Sequence, residues 1–127
     1  MIEALFSNPN YAAAKKVLDA TEMRHEAIAR NLANIETPQY KRVDVAPDFD
    51  AELKKAVATR DTRIISSVTP RLSVDTEAKA SGKDGNTVQL EGELTRLTEN
   101  AMNHQMGTHL ATGQLLRLRL AITGRSV

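Results

Sequence analysis

Two long stretches of this chain carry the three-four spacing of a helix that buries one apolar stripe. In the first, Tyr11, Ala14, Leu18, Thr21, His25, Ile28, Leu32 and Ile35 follow that alternation, with small or polar residues at several positions. Asn8 and Pro9 read as an N-cap followed by proline at the first helical position. Pro38 disfavours helical geometry at Thr37, so this helix is expected to stop at Asn34 to Glu36. In the second stretch, Leu90, Leu94, Leu97, Ala101, His104, Thr108, Ala111, Leu115, Leu118 and Ile122 alternate in the same way. Asn86 with Gln89 three residues on has the spacing of a capping box, and Gly124 supplies a C-terminal stop. At 1.5 Å per residue this second helix is about 50 Å long.

The residues between are mixed. Gln39 to Pro47 reads as extended chain. Phe49, Leu53 and Val57 recur every four residues, which predicts a short helix over 49–59 with Asp48 or Asp50 as its cap. Residues 63–75 are rich in Ile, Val, Ser and Thr and contain Pro70, which predicts one or two short strands with the proline at an edge or turn. The polar stretch 77–86, with Gly82 and Gly85, reads as a mobile loop. The expected fold is therefore mainly α. Residues 1–40 and 87–127 form a helical domain whose two long helices make an antiparallel coiled-coil-like pair, and 41–86 is a small irregular, β-containing insertion.

One antiparallel register matches every position of the first stripe to the second. It sets Tyr11 by Leu118, Ala14 by Leu115, Leu18 by Ala111, Thr21 by Thr108, His25 by His104, Ile28 by Ala101, Leu32 by Leu97 and Ile35 by Leu94. The pair is not self-sufficient. A further apolar line of Met102, Met106, Leu110, Leu116 and Leu120 lies off the seam, and such a surface is a liability on a monomer. Gly107 and Gly113 each cost the helix about 1 kcal/mol relative to Ala, which close approach of another backbone offsets.

Composition narrows the classes of function. Of 127 residues 41% are hydrophobic but 3% aromatic, so the core rests on aliphatic side chains and Ala. With 17 basic and 16 acidic residues the formal charge is +1, which gives no electrostatic case for nucleic acid or an anionic membrane. There is no cysteine, which excludes disulfides, thiolate metal sites and cysteine nucleophiles. Met1 to Phe6 has no basic n-region or long apolar h-region, and no run approaches the roughly 20 apolar residues of a membrane span. General rules alone would make the chain cytoplasmic.

No motif points to catalysis, a cofactor or a metal. His25, His104 and His109 are the only histidines. The register above makes His25 and His104 a buried structural pair whose double protonation is penalised by like charge, so assembly is expected to weaken at mildly acidic pH. Glu91, Glu93, Asp48 and Asp50 lie near helix starts, where carboxylates favour the helix dipole. Asn31 and Asn34 have two readings: capping with solvent exposure, or amides shared between neighbouring subunits. Tyr40 reads as an anchor between the extended segment and a neighbour.

The stretch Arg30-Asn31-Leu32-Ala33-Asn34-Ile35-Glu36-Thr37-Pro38-Gln39-Tyr40-Lys41 resembles the N-terminal signature of the flagellar rod and hook axial proteins. That signature runs Asn-(Ile/Leu)-Ala-Asn, two variable residues, then Thr-Pro-Gly-Tyr. Asp84-Gly85-Asn86-Thr87-Val88 with Glu91 and Glu93, and the ending Leu115 to Gly124, are similar to proximal rod members. The likeness covers both terminal thirds. Gln39 stands where the family has Gly, which implies a different turn or an unfavourable one. FlgC-type proximal rod proteins carry an insertion before a Tyr-Arg-Arg-type sequence, which this chain lacks.

The resemblance implies a structural subunit of the flagellar basal body whose terminal helices line a hollow axial tube. It implies copies of the chain itself, rod proteins of the FlgC, FlgF and FlgG types, the adaptor FliE and the export gate as partners. It also replaces the cytoplasmic default with the periplasmic side of the basal body, reached by export without a cleaved signal. The assembly interface expected on this basis is Asn31, Leu32, Ala33, Asn34, Thr37, Pro38 and Tyr40 together with Met102, Met106, Leu110, Leu116 and Leu120. The helix-pair seam is Leu18, His25, Ile28, Leu32, Ile35, Leu94, Leu97, Ala101, His104, Leu115, Leu118 and Ile122. The alternatives are the FlgC type and a non-flagellar helical adaptor.

Overall fold

The computed structural model describes Glu3 and residues 7–124. The first helix, α1, spans Pro9–Ala33. Asn8 caps it, its side chain accepting the backbone N–H groups of Asn10 at 2.9 Å and Tyr11 at 3.4 Å. At the other end Asn34 is the C-cap, and its side-chain amide donates to the Arg30 carbonyl at 2.9 Å. The last helix, α4, spans Leu90–Thr123 and ends on Gly124, left-handed at φ 62°. Its N-cap is Gln89, which makes no side-chain capping bond. The capping box expected at Asn86 and Gln89 therefore does not form, because the Asn86 side chain is used elsewhere. None of the helices described is long and apolar enough to cross a membrane.

Between them lie β1 (Val43–Val45), α2 (Asp48–Thr59), α3 (Thr62–Ser67) and β2 (Leu72–Val74). The strands pair antiparallel, with Asp44 opposite Ser73. Backbone bonds from Ala46 to Arg71 and from Asp75 to Arg42 extend the ladder by one residue at each end. The helix over 49–59 is present, but its N-cap is Pro47 without a side-chain bond, and Asp48 instead pairs with Arg71 at 2.6 Å. The strand expected from residue 63 is a helix. Asp61 accepts the N–H of Arg63 at 2.9 Å, and this cap outweighs the β preference of Ile64 and Ile65. Ile65 is then fully buried beside Phe49, Val45 and Val68. This small cluster packs on Ala12 and Ala20 of α1, with Ala13 and Met23 alongside.

α1 therefore serves two neighbours. Its alanines meet the insertion, and another line of side chains meets α4. The contacts rise along α1 as they fall along α4. Asn8 bonds Gln114 at 3.1 Å, Leu18 packs on Gly107, Thr21 meets His104 and Asn100, and Asn31 bonds Glu93 at 3.2 Å. This register differs by about one turn from the one read from the apolar stripes, since Thr21 rather than His25 faces His104. The row of α4 that faces α1 also differs. Glu93, Asn100 and Gly107 are buried and Gln114 is half-buried, one every seven residues. Leu94, Ala101, Thr108 and Leu115, each one residue further on, are exposed. The second row of the expected seam faces inward only in part: Leu97, Ala111 and Leu118 are half-buried and His104 is exposed.

The reason is chemical. The surface that α1 and β1 offer is polar opposite Glu93 and Asn100, and it selects an acid and an amide there rather than leucine; opposite Gly107 the limit is space. A Cβ on Gly107 would come within 3.1 Å of the Leu18 side chain and 3.3 Å of Val17, so the helices meet there at glycine distance. Around Gly113 nothing lies within 4 Å of the same added atom. Gly107→Leu is expected to destabilise the free chain by about 1–3 kcal/mol through overpacking. Gly113→Ala should stabilise it by about 1 kcal/mol through helix propensity. Thermal unfolding of the two variants should move in opposite directions.

Candidate functional site

The residues of the signature stretch and of 84–93 meet at one end of the helix pair, where the insertion leaves α1. Asn31 is fully buried, and its amide makes four hydrogen bonds. It donates to the Val43 carbonyl at 2.8 Å and to Glu93 Oε2 at 3.2 Å. It accepts from the Val43 N–H at 2.9 Å and the Tyr40 hydroxyl at 3.4 Å. The side chain thus reads both polar groups of one residue of β1, as a neighbouring strand does. Neither sequence reading of Asn31 holds: it is not exposed, and no capacity is left for a neighbour. Tyr40 is half-buried and anchors to Asn31 of its own chain.

Arg42 lies beside it, with its side chain only 3% exposed. Its Nε donates to Glu93 Oε1 at 2.9 Å, one terminal nitrogen donates to Asp75, and the other donates to Asp44 at 3.2 Å. Glu93 is fully buried between Arg42 and Asn31, with Arg96 at 3.6 Å. Arg24 binds the far side of Asp44 at 3.3 Å. Three arginines and three carboxylates therefore alternate. Burial alone lowers the Arg42 pKa, but its hydrogen bonds to Glu93 and Asp75 outweigh this and hold it above the ordinary value. Burial also pushes the Asp75 carboxyl up, while hydrogen bonds from Arg42 and the Glu77 N–H bring it below the usual 3.8. A depressed carboxyl contributes stability above its unfolded pKa. This contribution is lost as the pH falls through the lowered folded value.

Segment 84–88 laces the same end shut. The Asn86 side-chain nitrogen donates to the carbonyls of Asn34 at 2.9 Å, Ile35 at 3.1 Å and Thr37 at 2.8 Å. These carbonyls lie at the C-cap of α1 and in the turn that follows it, so one amide ties the helix end to the turn. Thr87 accepts the Arg42 N–H at 2.8 Å, and its own N–H reaches the Tyr40 carbonyl at 3.0 Å. Of the stretch expected to be a loop, 79–84 is exposed, whereas Gly85 to Val88 is held by these bonds.

Gln39 answers the departure from the family signature. The Tyr40 N–H bonds the Thr37 carbonyl at 3.3 Å, with Pro38 second and Gln39 third in the turn. Gln39 has φ +62°, so the turn that suits glycine is kept and glutamine takes the strain. Left-handed backbone costs a residue with a Cβ roughly 1–2 kcal/mol. Two contacts offset it. The Gln39 N–H donates to the Asp84 carbonyl at 2.8 Å, and its side-chain amide lies over Gly85, where a Cβ would sit 2.6 Å from Oε1.

The remaining expected interface residues divide by place. Leu32 and Asn34 are half-buried, and Ala33, Thr37 and Pro38 are exposed. On α4, Met102 is 65% and Met106 61% exposed, Leu110 and Leu116 are also exposed, and Leu120 is half-buried. Of the seam, Ile28 is buried, Leu18, Leu32 and Ile35 are half-buried, and Leu94, Leu115 and Ile122 are exposed. His25 and His104 are both exposed and do not form the expected buried pair. His104 Nδ1 lies 3.0 Å from the Thr21 hydroxyl, which is also 2.8 Å from the Leu18 carbonyl. The Asn100 amide nitrogen donates to the Thr21 carbonyl at 2.8 Å, while its buried Oδ1 has no partner among the described residues. Among the described residues no group of three or more His, Cys, Asp or Glu is placed to hold a metal.

Sequence reasoning missed the roles of Arg42, Asp44, Asp75, Thr87 and Asn100, and read Glu93 and Asn86 in other roles. Apolar periodicity carries no signal for a polar seam. The seven-residue spacing of Glu93, Asn100, Gly107 and Gln114 is the signal that was present. Two outcomes follow for stability. Arg42→Met leaves buried Glu93 with only the longer 3.6 Å contact to Arg96 and is expected to cost about 3 kcal/mol; Arg42→Met/Glu93→Leu should be more stable than that single variant in denaturant unfolding. Gln39→Gly should raise the unfolding midpoint, by relief of about 1 kcal/mol of backbone strain.

No family model matches the chain. It is similar to curated proteins along most of its length. The flagellar basal body rod protein FlgB of Cereibacter sphaeroides is 31% identical over 111 residues, covering 81% of this chain and 85% of the relative. FlgB of Aquifex aeolicus is 30% identical over 114 residues, covering 88% and 91%. FlgB of Escherichia coli K12 is 29% identical over 117 residues, covering 80% and 83%. With this identity over these shares of both chains, the protein belongs to the FlgB family of flagellar basal body rod proteins.

Proposed function

We infer that this chain is a structural subunit of the proximal rod of the flagellar basal body, built into a hollow axial shaft through its terminal helices. The observation that carries the reading is the outer surface of α4. Met102, Met106, Leu110, Leu115, Leu116 and Ile122 are each at least 45% exposed. Covering each one contributes on the order of 1 kcal/mol, given 25 cal/mol per Å² of apolar surface. A self-contained helical adaptor buries such residues within its own chain. A subunit that meets neighbours leaves them for assembly.

In this reading α1 and α4 form an antiparallel coiled-coil-like pair that acts as one stiff unit. The polar clasp at its end fixes the insertion so that the signature turn presents Ala33, Thr37 and Pro38 outward. The neighbours are copies of this chain, other rod proteins of the FlgC, FlgF and FlgG types, the adaptor FliE and the export gate. The site of assembly is the periplasmic side of the basal body, reached without a cleaved signal peptide. Catalysis has no part in it, because the buried acid and base groups are consumed in the clasp.

The test places the wild-type chain and Met106→Glu/Leu110→Glu in the native host with the chromosomal copy deleted. Wild type restores motility, whereas the double variant does not, although its thermal unfolding is unchanged in isolation. Full motility from a stably produced double variant overturns the reading. Gly113→Ala, which stabilises the free chain, should slow or weaken assembly if a neighbour's backbone approaches that glycine.

A further inference from the structure

A groove of about 740 Å³ lies between α1 and α4. Leu18, Leu97 and Ala101 give it apolar lining, and its charged lining residues are Asp19 and Glu22. Both acids are exposed on α1. Asp19 shares a 3.7 Å ion pair with Lys16, and Glu22 has no ion pair among the described residues. No lysine or arginine lines the groove. From Leu97 to Thr108 it follows α4 for about 16 Å at the helical rise of 1.5 Å per residue.

The other end of α4 has the complementary character. Asn8, one residue before α1, is bonded to Gln114. Past that level α4 continues from Leu115 to Thr123, about 13 Å at the same rise. Leu115, Leu116 and Ile122 are exposed there, as are Arg117 and Arg119. No Asp or Glu occurs anywhere after Glu99. The arginines also favour the helix dipole at this end, but the dipole does not explain the exposed leucines beside them.

We propose that the groove of one copy receives the C-terminal turns of α4 of a second copy, with Arg119 set against Asp19 and Glu22. Arg119 lies on the helix face of Leu115 and Ile122, and Arg117, on the opposite face, adds positive charge at longer range. The inference rests on the rod-subunit reading and names which two surfaces meet. The length of the overhang fits the length of the groove, and a cationic apolar helix end meets an apolar groove with an acidic rim. Because groove and helix end are different places on one chain, the contact is head-to-tail. Such a contact leaves one free groove and one free end at each step, so it propagates into a ring or an open helix according to the rotation between copies.

The chain has no cysteine, so introduced thiols report without background. Purified full-length Ala101→Cys and Leu116→Cys copies are mixed and oxidised. Disulfides form only where Cα atoms come within about 7 Å, so the mixed 101–116 disulfide should exceed both same-position disulfides. Sedimentation velocity supplies the second arm. Asp19→Arg/Glu22→Arg and Arg117→Glu/Arg119→Glu should each weaken self-association about tenfold, as expected for unfavourable charge across an interface. The chain carrying all four changes should recover it. Thermal unfolding of each variant checks that the fold is intact. Same-position disulfides predominating, or no recovery in the fourfold variant, overturns the proposal. If that happens while wild type still restores motility, the groove contact is wrong and the rod-subunit reading stands. If wild type fails to restore motility, the rod-subunit reading fails with it.

Discussion

Asn31 sits in the last turn of α1, out of contact with water, with its amide bonded on both sides. One side is the backbone of Val43, and the other is Glu93 of α4. An unpaired buried amide costs on the order of 1–3 kcal/mol, and an unpaired buried carboxylate costs more. Every element at this end of the molecule is placed so that neither is left unpaired. β1 must run past Asn31 at strand distance, α4 must present Glu93 at that height, and Arg42 must stand at residue 42 to neutralise it. The position of β2 follows, because Asp75 lies one residue beyond its last strand position and meets the same guanidinium.

A buried ionic cluster is weak evidence for stability, since desolvation offsets most of the attraction. Its better-supported effect is register. Leucine against alanine tolerates a shift of one turn along a helix pair. Glu93 against Asn31 and Arg42, with Asn100 against the Thr21 carbonyl, does not. The polar row of α4 thus fixes how far the helix projects beyond α1. That projection determines how much of the helix end stands free, and where its apolar residues point relative to the clasp.

The sequence made the helices legible because their signals are local. Asn8-Pro9, Pro38 and Gly124 mark ends by steric and hydrogen-bonding rules that need no tertiary partner. The short helix beginning at Thr62 was not legible from its β-branched residues. A cap at Asp61 and burial of Ile65 decided it, and the burial depends on where Phe49 and α1 lie. The seam was half legible for a related reason. Periodicity shows that α4 has a face, but apolar counting assigned its inner row to leucines. Glu93, Asn100 and Gln114 hold the inner row because their partners are polar, Gly107 holds it because Leu18 and Val17 stand too close for a side chain, and those partners come together only through the fold. Of the candidate site, the outward apolar line on α4 and the exposed residues of the signature turn were in view. The clasp was not, because Arg42 and Asp75 are far in sequence from each other and from Glu93 and share no spacing with it.

Gln39 joins local and tertiary constraint in one residue. Its turn is specified by Thr37, Pro38 and Tyr40, whose bonds fix where the chain leaves α1. Glycine would take φ +62° freely, and glutamine takes it only because more is lost by abandoning the turn. Leaving it would pull Tyr40 off Asn31 and Arg42 off Glu93, exposing the unpaired charge that the whole end of the molecule is arranged to avoid. A side chain at this position can therefore stand where the signature has none, provided the segment opposite makes room. That room is at Gly85, itself at φ +76°, where the glutamine amide lies against a residue without a Cβ. The substitution is tolerated because a second glycine across the turn supplies the space, so the two positions are coupled through one contact.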